Sequence, residues 1–178
     1  MKKTIIIICM VLCAAVAFAQ TFAFQVGFSV MGVNAGLQLG VTDTVRIGAN
    51  ASMAMSGTKD SENSFGWLLA QGLMAIDMLK SEANDLEIRF AFSYLDIRNP
   101  LAAETPSMKL IGATFGIQYT HWFGVNRNNG LFVGIDIPMG GYASGNDIDE
   151  GPFIGPWTSL ATLGVLVTSF RTGYAFQF

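Results

Sequence analysis

The sequence predicts an all-β chain: an eight-stranded antiparallel up-and-down transmembrane β-barrel that follows a cleaved signal peptide. Three observations carry this. Apolar residues make up 51% of the chain and charged residues only 13%, an unusual balance for a soluble domain of this size. Yet beyond the N-terminal segment no run of about 18 uncharged apolar residues exists to span a membrane as a helix. Most segments instead alternate apolar with small or polar residues at the strand period of two, and 20 glycines are spread along them. The chain then ends on a strand, Phe170–Phe178, with Phe170, Thr172, Tyr174, Phe176 and Phe178 on one face and Arg171, Gly173, Ala175 and Gln177 on the other. In lipid, a chain without a spanning helix satisfies its backbone only by closing its sheet on itself.

The N-terminal segment accounts for residues 1–19. Met1–Lys3 is positive, Thr4–Phe18 is almost wholly apolar, and Ala17-Phe18-Ala19 supplies the small-residue site for cleavage before Gln20. Cys13 offers a lipid-modified alternative, but Leu12 before it is a poor fit to the small residue expected there. Cleavage removes both cysteines, Cys9 and Cys13, so residues 20–178 would hold no thiol, disulfide or Cys-based metal site. Lys2 and Lys3 leave as well, so eight of the 10 basic residues remain against 13 acidic ones, a net charge of −5 that argues against nucleic acid as a partner. Residues 20–178 have the length of one domain.

The first strand sets Phe22, Phe24, Val26, Phe28 and Val30 against Ala23, Gln25, Gly27 and Ser29, and a tight connection is expected at Gly32–Asn34. The second sets Ala35, Leu37, Leu39 and Val41 against Gly36, Gln38 and Gly40, and Thr42–Thr44 is a short turn. The third sets Val45, Ile47, Ala49, Ala51 and Met53 against Arg46, Gly48, Asn50 and Ser52, before a polar loop, Ser56–Ser64. Phe65–Leu79 carries apolar residues in both phases and reads as a bulged strand or a short amphipathic helix; a strand gives the even number that a barrel of this kind needs.

After the turn Ser81–Asp85, the fifth strand sets Leu86, Ile88, Phe90, Phe92 and Tyr94 against Glu87, Arg89, Ala91 and Ser93, and Arg98–Ser107 is a loop with two prolines. The sixth sets Ile111, Ala113, Phe115, Ile117 and Tyr119 against Gly112, Thr114, Gly116, Gln118 and Thr120, and Asn126–Gly130 is a turn by composition. The seventh sets Leu131, Val133, Ile135, Ile137 and Met139 against Gly134 and Asp136. An irregular stretch, Gly140–Pro156, leads into the last strand, where a phase change near Thr168–Ser169 predicts a bulge.

Longer connections thus fall on one rim and short turns on the other, the rim that also holds both chain ends, as in barrels whose loops face outside and whose turns face the periplasm. The chain resembles small bacterial outer-membrane barrels of the OmpA, OmpX and OmpW type, on this pattern and on its terminal Phe, with no motif that selects one family. The resemblance implies residence in outer-membrane lipid after export. It also implies that Tyr174, Phe176 and Phe178 of the closing strand are read by the barrel-assembly machinery.

Aromatics near the strand ends, Trp67, Tyr94 and Trp157 toward the outer side and Trp122, Phe123, Tyr174 and Phe176 toward the periplasm, are expected at the lipid boundary. The inward face carries Arg46, Glu87, Arg89, Asp136 and Arg171. Eight strands leave room only for side chains, and a buried charge needs a partner. Asp136 and Arg171, at similar depth on neighbouring strands, are expected to pair, and Arg46, Glu87 and Arg89 to form a second cluster near the periplasmic mouth. The lumen is read as a polar plug, or else as a narrow path for small or apolar solutes.

Catalysis is not expected. Residues 20–178 hold one His and no Cys, and His121 falls in the lipid-facing phase without an acid beside it. Asn146–Gly151 is acidic but lacks the spacing of a Ca²⁺ loop, so no metal or cofactor is expected. The function class that remains is a non-enzymatic membrane barrel, structural or displaying its outer loops to an extracellular partner.

Overall fold

The computed structural model describes residues 21–29, 32–56, 65–98, 108–124, 126–145, 151–154 and 170–178. The proposed signal segment, most of the longer loops, Trp157 and the bulge expected at Thr168–Ser169 lie outside these residues.

The strands are β1 (Thr21–Ser29), β2 (Gly32–Gly40), β3 (Val45–Ser56), β4 (Phe65–Lys80), β5 (Asn84–Arg98), β6 (Met108–Phe123), β7 (Asn129–Gly145), β8 (Gly151–Ile154) and β9 (Phe170–Gln177). Each of β1 to β7 pairs antiparallel with its sequence neighbour, and β9 pairs with both β1 and β7. The result is a closed up-and-down barrel of eight strands, β1 to β7 and β9, with no helix among the described residues. Among the described residues, the short β8 pairs with Gly140–Ala143, in the far half of β7.

At one rim the turns are tight: Val41 N–H donates to Val45 C=O at 2.9 Å, and Ser81 N–H to Asn84 C=O at 2.8 Å. The described ends meet at the same rim, where Phe22 and Phe178 exchange backbone hydrogen bonds of 3.1 and 2.8 Å. The strands are strongly staggered. Leu69 of β4 is joined through Ser52, Asn34, Gly27, Gly173, Phe132, Thr120 and Asp85 to Lys80, far along β4 again. Such a tilt is required to close a twisted sheet.

Several boundaries differ from the sequence expectation. Gly32–Asn34 is the start of β2 and not a turn, because Asn34 points inward and hydrogen-bonds to Ser52 at 2.6 Å. Gly140–Gly145 extends β7, where Gly112 and Gly141 face each other across the β6–β7 pair. A Cβ on Gly141 would overlap the Ile111 carbonyl oxygen, so two chains can approach here only without side chains. Asp85 belongs to β5 and is buried. β4 is one strand throughout; both of its phases read as apolar because Leu69 and Leu73 turn inward while Leu68 and Met74 face out.

The outer surface is a continuous apolar band, with Phe24, Val26, Phe90, Phe92, Ile117, Val133 and Ile135 all exposed. In water such a surface would be a severe liability; against hydrocarbon it is ordinary.

Candidate functional site: the lumen ion network

The side chains that could act chemically are gathered inside the barrel, and strand register puts them there. Arg46 of β3, Arg89 of β5 and Asp136 of β7 lie on one inward row, separated by Ala75 of β4 and Gly116 of β6. The adjacent row holds Asp77, Glu87, Gln118, Gly134 and Arg171. Small residues alternate with long ones, and this makes room for the long ones. A Cβ on Gly116 would collide with Asp136 Oδ1.

These rows form one ion network. Arg46 reaches Asp77 at 2.9 Å, Asp85 at 3.1 Å and Glu87 at 3.7 Å. Arg89 lies 3.9 Å from Glu87 and 3.8 Å from Asp136, which pairs with Arg171 at 3.2 Å. Arg127, from the turn between β6 and β7, completes the network by pairing with Asp85. Four carboxylates thus meet four guanidiniums, and the group is neutral as a whole. Glu87, Arg89 and Asp136 are each 1% exposed and Arg171 is 0% exposed, so none of these charges is satisfied by bulk solvent.

At the short-turn mouth, Asp85 also accepts a 2.7 Å hydrogen bond from Trp122 Nε1. The Arg127 guanidinium lies 5.6 Å from the centroid of the Trp122 ring. Arg127 has a positive φ of 53°, an unusual conformation for a residue other than Gly, and its side chain closes over this end. Toward the middle of the barrel, Asn50 lies 3.0 Å from Asn34, 3.0 Å from Gln71 and 3.3 Å from Arg171 Nη1. Gln71 donates to Ser93 at 3.1 Å, and Ser93 and Thr114 are 3.3 Å apart. Toward the long-loop rim an apolar cluster joins the filling: Leu69, Leu95, Leu110 and Ala143, with Trp67 and Ile97 packed on it. The polar plug expected from the sequence thus has an apolar part on the β4–β7 side, while Ser29, Asn34 and Ser52 remain polar and buried.

Arg46, Glu87, Arg89, Asp136 and Arg171 come together in one network, and the two clusters anticipated separately are joined through Arg89. Asp77, Asp85 and Arg127 belong to it as well. Asp77 was hidden in the strand with mixed phase, and the other two lay in stretches read as turns.

Among the boundary aromatics, Tyr94 faces outward and its hydroxyl lies 3.5 Å from Asp96. Phe123, Tyr174 and Phe176 lie on the outward phase at the short-turn rim, with ring centroids 6.4 and 5.0 Å apart in succession. Phe178 is exposed beside Phe22, at 6.2 Å. Trp67 and Trp122 must be corrected. Both point into the lumen, Trp67 onto the apolar cluster and Trp122 onto Asp85, Phe132 and Ala175. Trp122 shares its phase with Gln118 and Thr120, so strand parity outweighs proximity to the rim. No group of three or more His, Cys, Asp or Glu side chains among the described residues is placed to hold a metal ion; arginines stand between the lumen acids.

No protein-family model matches the chain, and no curated protein matches it. Solved structures do. The chain is similar to the N-terminal β-barrel domain of Pseudomonas aeruginosa OprF, at 9% identity and a TM-score of 0.51, over 89% of this chain and 96% of that one. It also aligns with a major outer membrane protein of Thermus thermophilus, at 14% identity and a TM-score of 0.45, over 89% and 98%. For Acinetobacter baumannii CarO the values are 9%, 0.41, 91% and 97%. The likeness to the OprF domain is one of fold: the chain shares that domain's closed-barrel architecture, and no single family is selected.

Proposed function

We propose that residues 1–19 direct export and are removed, and that residues 20–178 form an outer-membrane barrel with a closed lumen. Its role is structural or surface-interacting and not enzymatic. The observation that carries this is the neutral ion network across the lumen, backed on the outer side by the Leu69–Leu95–Leu110 cluster. A permeation path needs continuous wet space, and here long side chains fill it in contact with one another. The apolar outer band supports lipid as the surrounding medium, and the fold shared with the OprF barrel domain supports the outer membrane. The exposed Phe178, just past the strand that closes the ring against β1, and the outward Tyr174 and Phe176 suit recognition of β9 by the assembly machinery.

A second reading, a narrow gated path, draws on the looser contacts of Arg89, 3.8 and 3.9 Å from its acids. At such distances water can sit between the groups and the pairs can re-form. Liposome swelling separates the two. Vesicles containing the folded protein should swell in glycerol or arabinose no faster than empty vesicles. Swelling well above that background would favour the channel.

A further inference from the structure

The short-turn rim carries a polar and aromatic cluster on its outer surface that the lumen network leaves unused. Asn84 of β5 stands beside His121 of β6 in the strand register. The Asn84 Oδ1 atom accepts from Tyr119 Oη at 2.6 Å and lies 2.8 Å from His121 Nδ1. Because that oxygen can only accept, His121 Nδ1 carries the hydrogen, and in the neutral ring Nε2 is left as an acceptor on an exposed side chain. One strand pair further round, the Tyr174 hydroxyl donates to Asn129 Oδ1 at 3.2 Å. Both tyrosine hydroxyls thus spend their hydrogens internally. Rings continue from His121 to Phe123 at 5.3 Å and on to Tyr174 at 6.4 Å.

This surface therefore offers acceptors and aromatic faces. The outward positions of β5, β6, β7 and β9 near this rim hold no Lys or Arg; of the cations nearby, Lys80 donates to the Asp43 carbonyl and Arg127 turns inward onto Asp85. A phosphate alone would find no cation on these outward positions. A primary ammonium finds a hydrogen-bond acceptor and aromatic faces.

We propose that this sector of the rim is a binding site for a phospholipid with a primary ammonium headgroup, such as phosphatidylethanolamine. His121 Nε2 accepts from the ammonium, the rings of Phe123 and Tyr174 flank it, and the acyl chains lie on the apolar band above. The proposal rests on the barrel being a membrane protein.

Native mass spectrometry of the protein purified from membranes in detergent tests it, using phosphatidylethanolamine, phosphatidylcholine and phosphatidylglycerol with identical acyl chains. Phosphatidylethanolamine should be retained about five-fold over phosphatidylcholine, which keeps the cation but has no N–H, the ratio one net hydrogen bond provides. Phosphatidylglycerol, whose hydroxyls can donate but which has no cation for the rings, should also be retained less than phosphatidylethanolamine. His121→Phe should lower phosphatidylethanolamine retention to that of phosphatidylcholine. Asn84→Leu, which frees the ring from its fixed tautomer, should shift it the same way. Equal retention of all three lipids, or an ethanolamine preference unchanged in both variants, would overturn the proposal. A heat-shifted band on gels shows that each variant is folded. A wild-type protein that folds in neither detergent nor bilayer would count against the membrane reading itself, whereas one that folds and retains the lipids equally counts only against this site.

Discussion

The Arg171 guanidinium and the Asp136 carboxylate meet 3.2 Å apart inside the barrel, on the strand pair β7–β9 whose joining completes the ring. Both are almost wholly buried. Closure of the barrel and neutralisation of its lumen charge are thus achieved at the same seam, and β9 cannot leave β7 without breaking this pair, which leaves Asp136 only its longer 3.8 Å contact with Arg89.

Removing one partner should therefore cost far more than removing both. Arg171→Met or Asp136→Leu alone should destabilise the folded barrel by about 3–5 kcal/mol, since each strands a buried charge. The double variant should recover most of that loss. Urea unfolding in lipid vesicles, followed by tryptophan fluorescence, measures all three; additive losses would show that the two side chains do not interact.

Glycine is required at some inward positions and indifferent at some outward ones. Gly116→Ala would drive a methyl group into the Asp136 carboxylate and should cost roughly 1–3 kcal/mol. Gly72 faces lipid with nothing within 4 Å of an added Cβ, so Gly72→Ala should stay within about 0.5 kcal/mol. The same unfolding titration compares them, and equal effects would refute the steric account.

Brominated lipids should quench Trp67 and Trp122 weakly, since both face the lumen. With Trp157 replaced by Phe, each can be observed alone by replacing the other with Phe. A Tyr174→Trp probe in a background lacking the native tryptophans should be quenched strongly. Strong quenching of Trp122 would place it in the lipid boundary after all.

Arg127 closes the short-turn mouth over Trp122 and Asp85. Arg127→Ala should raise acrylamide quenching of Trp122 while leaving Trp67, at the far end of the lumen, unchanged. An equal rise at both tryptophans would mean general loosening, not an opened mouth.

Much of this architecture was legible in the sequence because lipid outside and a cramped lumen inside place opposite demands on alternate residues. Phe22, Phe24, Val26 and Phe28 face outward for that reason, and the inward phase of Arg46, Glu87 and Arg89 follows from the same parity. The rule weakens where the lumen itself is apolar. Leu69, Leu95 and Leu110 point inward, so strand ends near them lost their alternation and read as too short. Asp77 immediately precedes Met78, which falls at the bulge in the β4–β5 register, and Arg127 reaches the lumen from a left-handed turn. Neither feature leaves a period in the chain. Trp67 and Trp122 show a different limit: a tryptophan near a rim reads equally as a boundary anchor or as a plug, and only its phase decides.

Whether the folded barrel is closed to ions is decided by single-channel recording of the wild-type protein in a planar bilayer, with gel mobility confirming the folded state. A closed lumen gives a flat baseline with no discrete steps across the voltage range. Steady unitary currents from the folded protein, rising further in Asp136→Ala or Arg171→Ala, would contradict it and make the ion network a gate in a conducting pore.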